Sequence, residues 1–303
     1  MALKAYESKK KIIGLFLLLP AAAFLALFTV RPLVDALIKS FTSWTGFSAN
    51  PQFVGIQNYV SALRDNLSFR NSIKNTLVFT VVVVFAQTSL GFLLAYFVYF
   101  LPKKPRAFLK KLMYIPVLVP ITAVAVMWKF ILSPEFGLVN QALRFIGLGS
   151  WAQAWLGQYE TAMLSVIAVN IWRFLGFTMV LYYVAMLTIP QEIREAAEID
   201  GANKLVMMYR LFLPLTIVTT ETNVVISLTG CMKAFDLFFM LTGGGPGTAT
   251  EVASMVIYRT AFQNFNYGGA LAMSILLFAS IGVLVFGVRF LLKRVKEWCG
   301  ADG

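Results

Sequence analysis

The chain has 303 residues, of which 59% are hydrophobic and 13% are charged, whereas an average soluble domain has about 45–50% apolar and about 25% charged residues. With a mean hydropathy of +0.75, this composition excludes an ordinary cytosolic enzyme, a disulfide-stapled secreted domain and a disordered chain. The net charge is +12, but the cations flank apolar runs, which indicates a membrane protein rather than a nucleic-acid-binding protein.

Histidine is absent from the sequence. This absence excludes a zinc site that needs imidazole and a Ser-His-Asp triad. The two cysteines, Cys231 and Cys299, are far apart and form no CxxC pair, so a disulfide framework is not supported. We interpret them as a small core residue and a terminal thiol, and we predict no metal site.

Six apolar stretches are long enough to cross a bilayer core of about 30 Å, which takes roughly 20 residues of helix. Their uninterrupted apolarity, with no period-2 alternation, favours an all-α membrane protein over a barrel. We predict a single transmembrane domain over residues 1–303, with six spans at Ile12–Val30, Thr76–Leu101, Leu112–Leu132, Thr161–Leu187, Leu211–Thr229 and Gly268–Leu292. We also expect Pro116 and Pro120 to kink the third span.

The first span follows three lysines, as a signal peptide would. Signal h-regions run about 7–15 residues, however, and Ile12–Val30 is longer and reaches Arg31-Pro32 without a convincing cleavage site. We therefore predict a retained membrane anchor.

Lysine and arginine are concentrated in the loops on one side of the predicted spans, which makes that side cytoplasmic. Both termini are then predicted to be cytoplasmic. The outer loop, about residues 31–75, carries Trp44, Phe47, Phe53 and Tyr59. These aromatic residues fit an external cap or partner surface as well as they fit ordinary interfacial side chains.

The cytoplasmic segment at about 189–214 is more than a connector. Pro190 suits a first helical turn, Glu192 and Glu195 lie near the positive helix end, and Gly201 permits a left-handed stop. A second helix is predicted from about Asn203 or Lys204. A small-residue helix with projecting acids suits docking into a groove of another protein, although a solvated amphipathic loop on the membrane is the alternative.

This segment resembles the EAA loop of ABC importer permeases: Glu-Ala-Ala, three residues, Gly, nine residues, then Ile-x-Leu-Pro. Glu195-Ala196-Ala197 precedes Gly201 by the same spacing, and Leu211-Phe212-Leu213-Pro214 completes the pattern with Leu in place of Ile. Asp200 completes a matching Asp-Gly-Ala triplet.

A second stretch, Leu241-Thr242-Gly243-Gly244-Gly245-Pro246-Gly247, resembles a segment of the carbohydrate-type permeases, close to the maltose, multiple-sugar and glycerol-phosphate types. The glycine run precedes no Lys-Ser/Thr and follows no strand, so it does not indicate a phosphate-binding loop. We expect an irregular turn there.

The resemblance implies a type I ABC importer permease fold in the bacterial cytoplasmic (inner) membrane. It also implies a homologous second permease, an ATP-binding subunit dimer and an extracytoplasmic solute-binding protein as partners. ATP and Mg²⁺ would be used by the partner ATPases, and this chain would bind no cofactor and be no enzyme itself. The coupling residues implied by the motif are Glu195, Ala196, Ala197, Asp200, Gly201 and Pro214.

Polar residues inside the spans indicate a pathway, because charges at membrane depth usually face a cavity or a partner helix. Asn170, Arg173, Phe174 and Phe177 share a helical region and suit a sugar, since they supply donors, acceptors and ring faces. By the resemblance, the helices on both sides of the EAA loop line the substrate site, which adds Ser227, Gly230, Cys231 and Ala234.

Alternatives remain for these residues. Arg173 fits a structural ion pair with Glu221 or Asp236 as well, and Gly230, Cys231 and Ala234 suit close helix packing. Lys129, Lys233 and Asp236 are expected near the outer interface. Gln87, Thr88 and Glu221 suit interhelical hydrogen bonds, and we assign them no functional role.

The sequence thus predicts an importer permease for a sugar or oligosaccharide that works by alternating access. An anionic cargo, such as a uronate or glycerol phosphate, is the main alternative. An ion-coupled secondary transporter would need a titratable relay, and a membrane enzyme would need a clustered nucleophile, metal site or acid pair; we find none of these.

Overall fold

A computed structural model describes residues 16–48 and 50–298. Over these residues the secondary structure is helical, and the β contact among them is an isolated antiparallel bridge between Thr42 and Phe53. This confirms the all-α prediction. The helices, labelled in chain order, are α1 Phe16–Lys39, α2 Gln57–Val60, α3 Leu67–Tyr99, α4 Lys103–Leu118, α5 Ile121–Ile131, α6 Leu138–Phe145, α7 Tyr159–Leu187, α8 Gln191–Ile199, α9 Lys204–Leu215, α10 Ile217–Met232, α11 Asp236–Leu241, α12 Ala253–Phe262 and α13 Tyr267–Trp298.

Four of the described helices, α1, α3, α7 and α13, are long and apolar enough to cross a membrane, and the number rises to six if each of two bent helix pairs counts as one span. The pairs are α4 with α5 and α9 with α10. The third and fifth predicted spans are therefore broken helices rather than straight ones. Residues 12–15 of the first predicted span, and Cys299, lie outside the described residues.

Proline explains the break in the third span. Helices α4 and α5 are bent by 102°, and Val119 between them is extended. Neither Pro116 nor Pro120 has an N–H to donate, and the residue before a proline avoids the helical region. The predicted kink is thus confirmed.

The fifth span bends by 69° between α9 and α10. Pro214 lacks an N–H, and the Thr216 hydroxyl donates to the carbonyl of Phe212 at 2.8 Å. A hydroxyl that bonds back one turn competes with the backbone ladder and bends a helix. The predicted start of this span at Leu211 falls within a π-helical turn, Met208–Phe212.

Helical structure extends into the predicted outer loop at both of its ends. Residues Arg31–Lys39 continue α1 as a helix and α3 begins at Leu67, so residues 40–66 lie between the two long helices. A π-helical turn at Ala26–Val30 precedes Pro32, and such a turn accommodates a residue that cannot donate.

By their internal contacts the described residues divide into two compact units. The first contains the residues up to Asn66 together with Ile257–Leu276. The second contains Leu67–Val256 together with the described residues from Leu277 onward. In the first unit, the Asn58 amide donates to the carbonyls of Ser40 and Thr42. Trp44 packs on Tyr267 with ring centroids 5.3 Å apart. The aromatic residues of this loop therefore differ in their exposure: Trp44 is packed against another ring, whereas Phe47 is 83% exposed.

In the second unit, α3 and α7 pack closely and two apolar clusters form along them. One cluster includes Phe79 and Val83 of α3 and Val166 of α7. The other includes Phe92 and Tyr96 of α3 with buried residues of α7 and α9. The stretch of α3 between the two clusters contains Gln87.

Helices α4 and α7 touch at Gly176. A Cβ at this position would lie 1.8 Å from the carbonyl oxygen of Met113, so no side chain fits there unless the two helices move apart. Small residues that allow such close backbone approach are typical of membrane helix contacts.

We expect Gly176→Ala to destabilise the second unit by about 1–3 kcal/mol, the usual cost of overpacking. The measurement is the melting temperature of the purified protein in detergent. Gly282→Ala in α13 is the matched control, because a Cβ there has no heavy atom within 4 Å. Equal melting temperatures for both variants would contradict the expectation.

Candidate functional site

The structure places all eight predicted pathway residues on one cavity of about 410 Å³. Ligand sites in proteins span about 300–1,000 Å³, so the space suits a small saccharide. Helix α7 and helix α10 with the turn that follows it supply these eight: Asn170, Arg173, Phe174, Phe177, Ser227, Gly230, Cys231 and Ala234. Their role in binding stays a prediction.

Gln87 is a cavity residue to which the sequence analysis gave no role. Its side chain is 2% exposed. Its Nε2 donates to Asn170 Oδ1 at 3.0 Å, and its Oε1 accepts from the Ser227 hydroxyl at 3.0 Å. Gln87 thus joins α3 to two helices that carry predicted pathway residues. The one signal in the sequence is an amide within an otherwise apolar run, and its spacing does not identify its partners.

Arg173 is held without a carboxylate. Its Nη2 donates to the carbonyl of Val119 at 3.5 Å, a long contact, and its guanidinium lies 5.0 Å from the ring centroid of Phe174. The Nε atom is buried and has no hydrogen-bond partner. The carbonyl that Arg173 contacts lies at the break between α4 and α5.

The ion pair proposed between Arg173 and Glu221 is wrong. Glu221 instead contacts Lys296 and, at 3.5 Å, Arg289, both on α13. Asp236 lines the same cavity as Arg173, but the structure shows no ion pair between them. The physical reason is that Glu221 already has two cations of α13 as partners.

Lys233 and Asp236, expected near the outer interface, are exposed residues that line the cavity. They follow the end of α10, where the chain turns into α11. With Arg173, they give the cavity lining two cations and one anion. The cavity is therefore polar on the side of Lys233 and Asp236, and aromatic beside Phe174 and Phe177.

The small residues of α10 differ in what surrounds them. A Cβ on Gly230 would meet no heavy atom within 4 Å, so within this chain Gly230 does not serve close helix packing. Cys231 is 6% exposed and belongs to an apolar cluster. It therefore packs as a core residue while it borders the cavity.

The predicted coupling loop has the expected local structure. Helix α8 begins directly after Pro190, Gly201 has a φ of +80°, and α9 follows with Asn203 as its N-cap. Asn203 Oδ1 accepts from the Val206 N–H at 2.9 Å. The helix, glycine turn and second helix that the sequence predicted are thus confirmed.

Helix α8 has no buried residue. Ile199 is 86% exposed, Glu195 and Ala196 are exposed, and Ala197 and Pro214 are partly buried. The Glu195 carboxylate accepts from the Gln191 amide. An exposed helix that carries isoleucine and acids together leaves its surface available to another protein.

The second half of the loop is fixed by aromatic side chains. The Tyr96 hydroxyl donates to the carbonyl of Lys204 at 2.6 Å. Phe212 is fully buried and packs edge-on against Tyr96 and Tyr99 of α3. The loop is therefore attached to α3 mainly at α9, whereas α8 reaches α3 through Arg194, whose guanidinium lies 5.4 Å from the ring centroid of Tyr99.

The glycine-rich segment forms an irregular turn, as expected. Gly243, Gly244 and Gly247 have positive φ values, and the Thr250 hydroxyl donates to the carbonyl of Gly245 at 2.7 Å.

Across residues 16–48 and 50–298, no group of three or more Cys, Asp or Glu is placed to hold a metal ion.

Comparison with known proteins identifies the family. Residues 87–297 match the model described as "Binding-protein-dependent transport system inner membrane component". The chain is 37% identical over 292 residues to a probable ABC transporter permease protein, YurN, of Bacillus subtilis (strain 168). This match covers 96% of this chain and 99% of the relative. It is 30% identical over 300 residues to AmyD of Thermoanaerobacterium thermosulfurigenes, a probable permease protein of a starch degradation products transport system, with coverage of 98% and 100%.

The fold is also similar to a solved structure. A chain of a bacterial ABC transporter involved in the import of the acidic polysaccharide alginate matches with a TM-score of 0.82 and 26% identity, over 96% of this chain and 99% of that one. A family model covering most of the chain, a relative of nearly the same length and the same helical fold agree with one another. The chain belongs to the family of binding-protein-dependent transport system inner membrane components, as a permease subunit of an ABC importer of the sugar type.

Proposed function

We propose that this chain moves a sugar or oligosaccharide into the cytoplasm by alternating access through the cavity between α7 and α10. The observation that carries the proposal is that eight residues predicted from two separate segments line one cavity. The relative AmyD, named for starch degradation products, supports a carbohydrate cargo. The cavity offers an amide, hydroxyl and charged groups for sugar hydroxyls and phenyl rings for the apolar side of a pyranose.

The proposed partners follow from the loop and the family. Helix α8, with no buried residue, is the surface for one subunit of an ATP-binding dimer. A solute-binding protein on the outer side and a second, homologous permease complete the machine, which would lie in the inner membrane of a bacterium. ATP and Mg²⁺ would act on the partner ATPases, whose motion the loop carries to the spans as a rigid-body shift.

The role of each loop residue follows from its position. Glu195, Ala196 and Ala197 would contact the ATPase, and Gly201 would hold the turn between the exposed and the fixed helix. Asp200, the C-cap of α8, would shape the turn in the middle of the segment, and Pro214 would shape its end. Force applied at α8 would then reach α3 through Tyr96 and Phe212.

A second cargo class, an anionic sugar or a glycerol phosphate, is favoured by one observation. The Arg173 Nε is buried without a hydrogen-bond partner, and its guanidinium has no ion pair with a described carboxylate. A carboxylate or phosphate oxygen would satisfy it. The similar alginate importer carries an acidic polysaccharide.

The proposed assembly predicts what purifies with this chain. From native membranes in mild detergent, the tagged chain is expected to bring an ATPase, a second permease and a solute-binding protein, identified by mass spectrometry. Purification of the chain alone, with its neighbours well expressed, would contradict the proposal and would turn attention to ion-coupled transport.

We expect Gly201→Leu to reduce cargo uptake driven by ATP in proteoliposomes that contain the complete complex. A side chain at a φ of +80° costs about 1–2 kcal/mol, so the turn would change and α8 would be displaced from the ATPase. The measurement is uptake per ATP hydrolysed.

Gly147→Leu is the matched control for this variant. Gly147 has a φ of +83°, and a Cβ there also meets no heavy atom within 4 Å, but it lies between α6 and α7, far along the chain from the coupling loop. It carries the same backbone strain and is expected to leave uptake per ATP unchanged. Equal losses in both variants would argue against a coupling role for Gly201.

The two cargo classes are separated by Arg173→Gln. If the cargo is anionic, uptake of a mannuronate trisaccharide or sn-glycerol 3-phosphate is expected to fall about 10–100-fold, the cost of one hydrogen bond to a charged group, while maltotriose uptake is unaffected. Arg173→Lys serves as the charge-conserving comparison. A loss that is equal for neutral and acidic probes would count against the anionic cargo.

A further inference from the structure

Gln87 occupies the level of α3 that lies between the two apolar clusters. Phe79 and Val83 belong to the cluster on one side of it, and Phe92 and Ala95 to the cluster on the other. At 2% exposure an amide must be hydrogen-bonded to be tolerated among apolar side chains. Both of its polar atoms are bonded, and both partners lie on the cavity.

The direction of these hydrogen bonds determines which polar atoms of Asn170 and Ser227 remain available to the cavity. The Ser227 hydroxyl donates to Gln87 Oε1, and Gln87 Nε2 donates to Asn170 Oδ1. The hydroxyl hydrogen of Ser227 is therefore used in the hydrogen bond to Gln87, and the side-chain oxygen of Asn170 already accepts a hydrogen bond from Gln87. Asn170 Nδ2 has no hydrogen-bond partner among the described residues, and Ser227 Oγ keeps its lone pairs.

We propose that Gln87 is a positioning residue for the cargo, an inference that rests on the proposed function. It turns the Asn170 amide so that the N–H donors, and not the oxygen, are available to the cavity. It turns the Ser227 hydroxyl so that the oxygen can accept. The cavity then offers a donor on α7 and an acceptor on α10, in an arrangement that neither residue fixes alone.

This arrangement sets a requirement on the cargo. An acceptor oxygen must face Asn170, and a hydroxyl that can donate must face Ser227. A saccharide meets both conditions with neighbouring hydroxyl groups, because each hydroxyl donates one hydrogen bond and accepts others. A cargo that lacks the matching group leaves a buried polar atom unpaired, which sites of this kind reject strongly.

A purely mechanical role for Gln87 is the competing explanation, since interhelical hydrogen bonds also hold membrane helices together. The two explanations differ in what a variant changes. A mechanical role weakens transport of every cargo by the same factor. A positioning role changes the ratio between cargoes, because it acts through the atoms that Asn170 and Ser227 present to the cargo.

The test uses the complete complex in proteoliposomes with three probes: maltotriose, a mannuronate trisaccharide and sn-glycerol 3-phosphate. Uptake is measured for the unsubstituted complex, Gln87→Met, Asn170→Ala and the double variant. Methionine keeps the length of the side chain and removes both hydrogen bonds. Thr88→Val is the control on the same helix, because the Thr88 hydroxyl is buried without a hydrogen-bond partner.

With Gln87→Met, uptake of the preferred probe is expected to fall about tenfold or more, the usual consequence of a lost buried hydrogen bond. The ratio between probes changes, and the loss in the double variant is smaller than the product of the two single losses, since Asn170→Ala has already removed one of the two side chains that Gln87 positions. Thr88→Val transports normally. Uptake within twofold of the unsubstituted complex, or an equal loss for all probes, overturns the inference.

Failure of the proposed function has a different signature. The unsubstituted complex would then transport none of the three probes. That outcome overturns the proposed function together with the inference that rests on it. Transport of a probe by the unsubstituted complex, with an unchanged ratio between probes in Gln87→Met, overturns the inference alone.

Discussion

The hydrogen bonds of Gln87 are the interaction on which the second unit depends. They connect α3, α7 and α10 at one level, between two apolar clusters. Apolar contacts alone orient membrane helices weakly, because lipid tails are as apolar as leucine. The two hydrogen bonds of the buried amide restrict how the three helices pack, because sliding any one of them leaves a polar atom unpaired at a cost of about 1–3 kcal/mol. The bridge therefore fixes which faces of α7 and α10 border the cavity.

The two broken helices complete that cavity. Because proline removes donors at Pro116 and Pro120, the chain between α4 and α5 has carbonyl groups without helical partners. Non-helical backbone at membrane depth is tolerated where it lies within protein or beside a cavity. Arg173 contacts one such carbonyl, that of Val119. The same break thus borders the cavity and provides one polar contact to the partly buried guanidinium of Arg173.

The sequence predicted the helical class, the coupling-loop geometry and eight of the residues that line the cavity, because each depends on local signals: apolar length, proline, a glycine at positive φ, or a motif. It did not predict the side-chain contacts between helices that are far apart in the sequence. Gln87 received no role, since its partners Asn170 and Ser227 lie 83 and 140 positions away. Glu221 was considered as a partner of Arg173 but contacts Lys296 and Arg289 of α13. Arg31-Pro32 suggested the end of a helix, whereas α1 continues past it after a π-helical turn.

Helix α3 connects the coupling loop with the cavity. Gln87 and Tyr96 are nine residues apart on this helix, a distance of about 13.5 Å at 1.5 Å per residue. Tyr96 contacts the loop at Lys204, and Gln87 contacts the cavity residues Asn170 and Ser227. Under the proposed mechanism, a displacement of the loop reaches α3 at Tyr96 and is transmitted along the helix, which is continuous from Leu67 to Tyr99. Since Gln87 also determines which atoms of Asn170 and Ser227 face the cavity, the same movement that opens the pathway would alter the hydrogen bonds that hold the cargo. Release of the cargo and the change of access would then be two effects of one helix displacement.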